Sequence, residues 1–170
     1  MWPCCCPALR CPALRCPALQ AFLGLTYNWG ALLGWAAVRG ACDWAVVLPL
    51  YASGVCWTLV YDTIYAHQDK VDDVKVGIKS TALTFGARTK AYCAGFAVAQ
   101  AGLLVLAGHV AGCGPAYHLG VAAVAGHVAW QVISVDLDDS ADCMAKFVSN
   151  RETGGLLFLG ILADCLLAVV

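Results

Sequence analysis

The chain has 170 residues, 61% of them hydrophobic and only 12% charged, with a formal net charge of −1. Its mean hydropathy is +0.74. Soluble domains carry about a quarter charged residues, roughly twice this share, so composition argues against a water-soluble fold, and the near-neutral balance offers no hint of a nucleic-acid partner. The class expected is all-α: a polytopic helix bundle whose solvent is the lipid bilayer.

Residues 1–20 stand apart from the rest. Cys-Pro-Ala-Leu-Arg occurs at 6–10 and 11–15 and returns as Cys-Pro-Ala-Leu-Gln at 16–20. A proline in every repeat forbids a stable helix, and so short a period matches no packed repeat architecture. Five of the 11 cysteines lie here (Cys4, Cys5, Cys6, Cys11 and Cys16). They lack the paired Cys-x-x-Cys spacing and the His partners of a zinc site, and haem ligation through Cys-Pro ranks well below a low-complexity leader. Arg10 and Arg15, with no acid before Asp43, give the stretch a faint transit-peptide character. The expected division is a disordered leader over 1–20 and one membrane domain over 21–170.

Five apolar segments follow: Ala18–Val38, Trp44–Ala66, Ala91–Gly112, Ala116–Val135 and Gly155–Val170. All but the last reach the ~20 residues that a helix needs to cross the hydrocarbon core. Gly30, Gly34, Gly102 and Gly108 suit close helix packing, and Asn28 suits an interhelical hydrogen bond. The later cysteines read as small hydrophobes. The four histidines show no ligand spacing; only His67 sits within an acidic stretch.

With five crossings, the N-terminal tail and the 67–90 and 136–154 loops share one side. Nine of the ten basic residues lie there, leaving Arg39 alone on the other. The positive-inside rule turns that side to the cytoplasm, or to the matrix of a mitochondrion.

Charge is concentrated in one place. Between Asp62 and Lys90 lie four Asp and five Lys or Arg, nine of the 21 charged residues. Charge set beside hydrocarbon marks a functional site. On a helix continuing from the apolar run, Asp62, Asp69 and Asp73 fall within roughly 40° of one another. Asp69 and Asp73 are then about 6 Å apart along the axis, with Asp62 about 10 Å below Asp69. Aligned carboxylates repel unless a cation sits between them, and Mg²⁺ is held by one or two carboxylates plus phosphate oxygens. Asp69 and Asp73 are therefore the expected metal ligands, and Asp62 reaches toward a substrate. Lys75 and Lys79 would take the remaining charge of a diphosphate.

On spacing alone a solvated loop balanced by Lys70 and Lys75 explains the cluster as well; its start inside the apolar run, at Asp62, favours the metal site. In the second charged stretch the acids from Asp136 to Asp142 read as caps of a short helix, with Asn150 and Arg151 placed to reach a ligand in a shared mouth. There is no P-loop, H-E-x-x-H, G-x-S-x-G or dinucleotide fingerprint.

The string Tyr61-Asp-Thr-Ile-Tyr-Ala-His-Gln-Asp-Lys-Val-Asp-Asp73, followed by Gly77-Ile-Lys-Ser-Thr-Ala-Leu-Thr-Phe-Gly86, resembles the second Asp-rich motif of the UbiA family of intramembrane prenyltransferases. Within that family it is most similar to the branch that prenylates 4-hydroxybenzoate for ubiquinone. Leu25-Thr-Tyr-Asn-Trp-Gly-Ala-Leu-Leu-Gly-Trp35 and Lys146-Phe-Val-Ser-Asn-Arg151 look like the same branch. The resemblance implies nine transmembrane helices around a cavity, of which these five match the last five. It also implies two Asp-rich motifs that hold Mg²⁺ and the diphosphate of a polyprenyl donor. On that reading Asp69 and Asp73 carry the metal, Asp62 lies at the cavity floor and Lys79 contacts the diphosphate. The implied site is the mitochondrial inner membrane, the Asp-rich loop facing the matrix. The first motif, N-D-x-x-D, occurs nowhere in the 170 residues. The expectation is thus the C-terminal half of such an enzyme behind an unrelated leader, with little turnover by itself. The alternative is a non-catalytic membrane protein that at most binds a diphosphate lipid or pairs with a full-length copy.

Overall fold

A computed structural model describes residues 19–70, 73, 75 and 80–168, and among these there are helices and no strand. The first apolar segment is two helices rather than one, α1 (Leu19–Tyr27) and α2 (Gly30–Arg39). Asn28 explains the break. Its Nδ2 donates to the Gly24 carbonyl at 2.7 Å and to Thr58 Oγ1 at 2.9 Å, so a side chain competes for a helix acceptor and the joint is pinned to the next element. α1 takes in Leu19 and Gln20, inside the stretch expected to be leader. α2 buries nothing and ends at Gly40, whose φ of 77° is the left-handed cap that glycine adopts without strain.

The central helix is α3 (Trp44–Tyr65), 22 residues long. The carboxylate of Asp43 caps it, accepting the Ala45 N–H at 3.1 Å. At its far end the backbone tightens: His67 N–H reaches Ile64 O at 3.1 Å and Gln68 N–H reaches Tyr65 O at 3.0 Å, three residues back rather than four. Beyond come a short α4 (Thr81–Phe85), a single 3₁₀ turn and α5 (Thr89–Ala111). Gly112, at φ 73°, ends α5, with the Cys113 N–H returning to Gly108 O at 2.9 Å. Pro115 then opens α6 (Pro115–Ser134), in the first-turn position that needs no N–H.

The last helix, α7 (Ser140–Leu167), runs 28 residues without a break. The expected 136–154 loop is therefore mostly helix. Asp139 caps it through the Ala141 N–H at 2.9 Å; its acids do cap a helix, but a long one.

α3 packs along α5 and α6 along α7; α5 against α6 and α7 against α3 complete a ring of four, and α1 lies on α3. Neighbours alternate in direction. One end gathers His67, Thr89, Lys90, Ile133, Lys70 and Asp138 through contacts of 3.2–3.7 Å. At the other, the Asp164 carboxylate accepts the Gly114 N–H at 2.7 Å and the Tyr117 N–H at 3.3 Å. α6 and α7 touch backbone to backbone at Gly120 and Gly160, the small-residue approach of membrane helices.

Polar side chains share the interior with an apolar core, and large apolar side chains also cover the outside. Gln131, Thr63, Thr58 and Gln100 are buried, whereas Val98 (75% exposed), Ile133 (76%) and Leu119 (73%) face outward. Apolar side chains of that size on the outside, with hydrogen-bonding ones inside, fit a lipid surround.

The expected count of five spans is not reproduced by length and composition alone. Among the described residues two stretches are long and apolar enough to cross a membrane, Trp44–Tyr65 and Thr81–Ala111. α6 falls short because His118, His127 and Gln131 interrupt it, α7 because its first half is charged, and the first segment because Asn28 divides it.

Candidate functional site

Asp62 lies in the last turn of α3, half-buried. The tightened turn at 66–69 carries the chain on to Asp69, and the Asp73 N–H bonds the Asp69 carbonyl at 2.8 Å, the one-turn relation that the spacing predicted. All three carboxylates line one open groove of about 420 Å³. Its other walls are Gln20, Phe22 and Leu23 of α1, Tyr65 and Ala66 at the end of α3, and Ser80. The ion pairs of Lys70 with Asp138 and of Lys146 with Asp142 lie outside this groove.

Gln20 Oε1 and Ser80 Oγ are buried in the same groove and find no hydrogen-bond partner among the described residues. The donor set is thus oxygen throughout, which suits a hard cation such as Mg²⁺ and not a thiolate- or imidazole-seeking metal. No three His, Cys, Asp or Glu side chains among the described residues form a ready-made metal cluster. An ion here would take its remaining ligands from water or a phosphate, as Mg²⁺ usually does.

The other expected ligand contacts are distributed differently. Lys79 lies outside the described residues. Lys75 is exposed and does not line the groove. Asn150 is buried and spent on the fold: its Oδ1 accepts the Trp57 Nε1–H at 2.8 Å, and its Nδ2 donates to the carbonyls of Lys146 and Phe147 at 3.1 and 3.2 Å. It ties α7 to α3. Arg151, next along, is exposed on α7, and neither residue lines the groove.

The second acidic stretch is likewise committed to structure. Asp142 Oδ2 accepts the Asp136 N–H at 2.7 Å, which holds its carboxyl below the usual carboxylate range. Lys146 lies 3.5 Å from Asp142 and over the Trp130 ring.

His67 is buried behind the groove, its Nε2 3.3 Å from Thr89 Oγ1. Burial, and after it the charge of Lys70, hold the imidazole below its ordinary pKa. A second, mixed-charge groove runs past it, lined by Lys70, Lys90, Asp136 and Asp138.

Sequence reasoning missed Gln20, Phe22, Leu23, Tyr65 and Ser80. Tyr65 was readable, since it stands one turn from both Asp62 and Asp69 on the same helical face. The α1 residues were not: only the pairing of α1 with α3 brings them there.

The described residues thus form a helical bundle with an apolar exterior and an acidic, oxygen-lined groove where its central helix ends. Comparison with known proteins makes the class specific. The model of the UbiA prenyltransferase family matches residues 15–162, and the chain belongs to that family. It is 59% identical over 142 residues to the mitochondrial 4-hydroxybenzoate polyprenyltransferase of Arabidopsis thaliana, covering 84% of this chain and 35% of that protein. The Rattus norvegicus protein of the same name is also 59% identical, and the Homo sapiens one 55%, each with 38% of its length covered. The chain therefore spans little more than a third of the curated relatives it matches. No solved structure matches it.

Proposed function

We propose that this chain serves Mg²⁺-dependent transfer of a polyprenyl group from its diphosphate to the ring of 4-hydroxybenzoate, in the ubiquinone pathway. The observation that carries the reading is the convergence of Asp62, Asp69 and Asp73 on one groove with Phe22, Leu23 and Tyr65 in its wall. Asp69 and Asp73 hold the cation, and Asp62 faces the substrate. Lys79, downstream on the same charged stretch, neutralises part of the diphosphate's charge. Phe22, Leu23 and Tyr65 keep water from the allylic end while its bond to diphosphate breaks. Magnesium, when bound, supplies Lewis-acid stabilisation of the departing charge.

The same reading sets the chain in the mitochondrial inner membrane; the names of its relatives describe those proteins as mitochondrial. The five apolar segments cross as the last five of a nine-helix arrangement, the Asp-rich end facing the matrix. The bias of nine basic residues in ten supports that orientation. A second reading, retention of a diphosphate lipid without turnover, is favoured by the single Asp-rich motif in these 170 residues.

Calorimetry on the chain in lipid nanodiscs separates the possibilities. Geranyl diphosphate should bind with Mg²⁺ and not with EDTA, and Asp69→Asn with Asp73→Asn should abolish the binding. Metal-independent binding that survives both substitutions would overturn the site. Product formation from 4-hydroxybenzoate in the same preparation distinguishes transfer from retention.

A further inference from the structure

The outer face of α7 carries charge where a membrane-spanning α7 meets lipid. Arg151 and Glu152 are both exposed. Glu152 lies beside α6, its Oε2 3.6 Å from His127 Nε2, and His127 Nδ1 is 2.9 Å from Thr153 Oγ1. His127 stands about 10 Å along α6 from the end of that helix at Ser134. With α6 and α7 crossing the bilayer, the charges on α7 therefore lie at hydrocarbon depth. Charge at that depth is costly against lipid and is found against protein or water.

Helical period shows how the face is built. At about 100° per residue, Val148 and Gly155 lie within roughly 20° of one another, and Arg151 and Glu152 fall about 50° to either side of their mean line. Leu159 and Leu162 continue the strip, about 30° to either side. All six are exposed, and nothing lies within 4 Å of a Cβ added at Gly155. The face is thus apolar along its middle, open at one glycine where a second backbone can approach, and oppositely charged on its two flanks.

A face of this kind is its own complement. In a pair related by a two-fold axis along the membrane normal, residues of equal depth meet, and the left flank of one helix meets the right flank of the other. Arg151 then faces Glu152 of the partner subunit, and the reverse, as flanking charges do in parallel coiled coils. Lipid satisfies neither charge. A helix of another sequence would have to present an acid and a base at the same depth and in the same order.

We propose that the outer face of α7 is a self-association surface, on which a second copy of this chain packs in parallel with Gly155 at the crossing and Arg151–Glu152 ion pairs on both sides. The inference needs α6 and α7 to cross the bilayer and takes nothing from the diphosphate site.

The test uses the whole chain in liposomes, labelled at the C-terminus with a donor or an acceptor fluorophore, and reads energy transfer as the chain is diluted in lipid. Transfer is expected to exceed that of randomly placed chains and to follow a monomer–dimer equilibrium. Arg151→Glu and Glu152→Arg each set like charges together on both sides of the contact. Each should raise the dissociation constant about tenfold, the scale of two interhelical polar contacts. Arg151→Glu with Glu152→Arg restores the pairs in exchanged order and should bring the constant back toward its original value. Gly155→Leu should weaken association by parting the helices. Gly102→Leu on α5, equally exposed and open, should not. Asp69→Asn with Asp73→Asn should leave association unchanged, so failure of the groove and failure of this surface are told apart. Transfer no greater than random, single reversals without effect, or a double exchange as weak as either single change overturns the proposal. Should charge reversal prevent insertion, Gly155→Leu decides: undiminished transfer puts the contact elsewhere.

Discussion

The contact between α6 and α7 allows a quantitative test of the packing. A Cβ added at Gly120 would stand 2.8 Å from the Gly160 Cα and 3.4 Å from the Leu156 carbonyl oxygen, and one added at Gly160 would stand 2.8 Å from the Gly120 Cα. Carbon atoms rest at about 3.5–4.0 Å, and the obstacle is backbone, which cannot swing aside like a side chain. Gly120→Ala must therefore part the helices by about 1 Å, a gap that forfeits a quarter to a half of each facing dispersion contact. The overpacking cost is about 1–3 kcal/mol. At roughly 2–4 °C per kcal/mol for a chain of this size, the melting temperature should fall by about 2–12 °C. Gly126→Ala is the control. It lies on the same helix with nothing within 4 Å of its added Cβ, and it gains up to about 1 kcal/mol of helix propensity. Thermal unfolding of both variants in one detergent, followed by tryptophan fluorescence, makes the comparison. The two added methyls contest one gap, so Gly120→Ala with Gly160→Ala should cost less than the sum of the single changes. A Gly120→Ala variant that melts with Gly126→Ala would refute the close approach.

Asn150→Leu should destabilise by about 1–3 kcal/mol, because it strands the Trp57 Nε1–H; a smaller cost in a Trp57→Phe background identifies that bond as the cause. Asp164→Ala removes the acceptor for the Gly114 and Tyr117 N–H groups. It should cost about 0.5–2 kcal/mol, as a lost cap does, and speed hydrogen exchange at those two amides. His67 has its folded-state pKa held below the ordinary value of 6.5, so the unfolded chain takes up the proton first. The stability due to neutral His67 is full above about 6.5 and is lost as pH falls toward the folded pKa. His67→Gln should flatten that part of the melting-temperature profile. Asp62→Asn removes the charge of a half-buried carboxylate from the groove it shares with Asp69 and Asp73. It should raise the melting temperature in EDTA while shrinking the stabilisation given by Mg²⁺ with geranyl diphosphate; equal effects in both conditions would argue against a shared site.

The sequence carried the helical class and the shared face of Asp62, Asp69 and Asp73, because composition and helical period are local properties. The turn at 66–69 interrupts the helix, yet the three still share the groove, since Asp73 resumes helical bonding to Asp69. What failed depended on partners. Asn28 breaks the first apolar segment only because Thr58 of α3 is there to receive its amide. Asn150, beside an arginine in a charged stretch, reads as a ligand contact until Trp57, 93 residues away, is seen to occupy its oxygen. The length of α7 was obscured because charge in its first half imitates a loop; with Asp139 as cap and Lys146 facing Asp142 and Trp130, that charge is accommodated on a helix.

α3 links the acidic groove to a second cavity, inside the bundle. Trp57, Tyr61 and Tyr65 stand one turn apart on it, and their rings continue through Phe147 of α7. Centroid separations are 5.5 Å for Trp57–Tyr61, 5.7 Å for Tyr61–Phe147 and 4.7 Å for Tyr65–Phe147. The ladder begins at the inner cavity, which Trp57 lines, and ends at the acidic groove, which Tyr65 lines. Both ends are anchored on α7, Trp57 by its bond to Asn150 and Tyr65 by its contact with Phe147. Movement of α7 relative to α3 would therefore disturb the walls of the cavity and of the groove together. Asn150, with its side-chain oxygen and amide all committed to protein partners, braces α7 against α3 along this ladder.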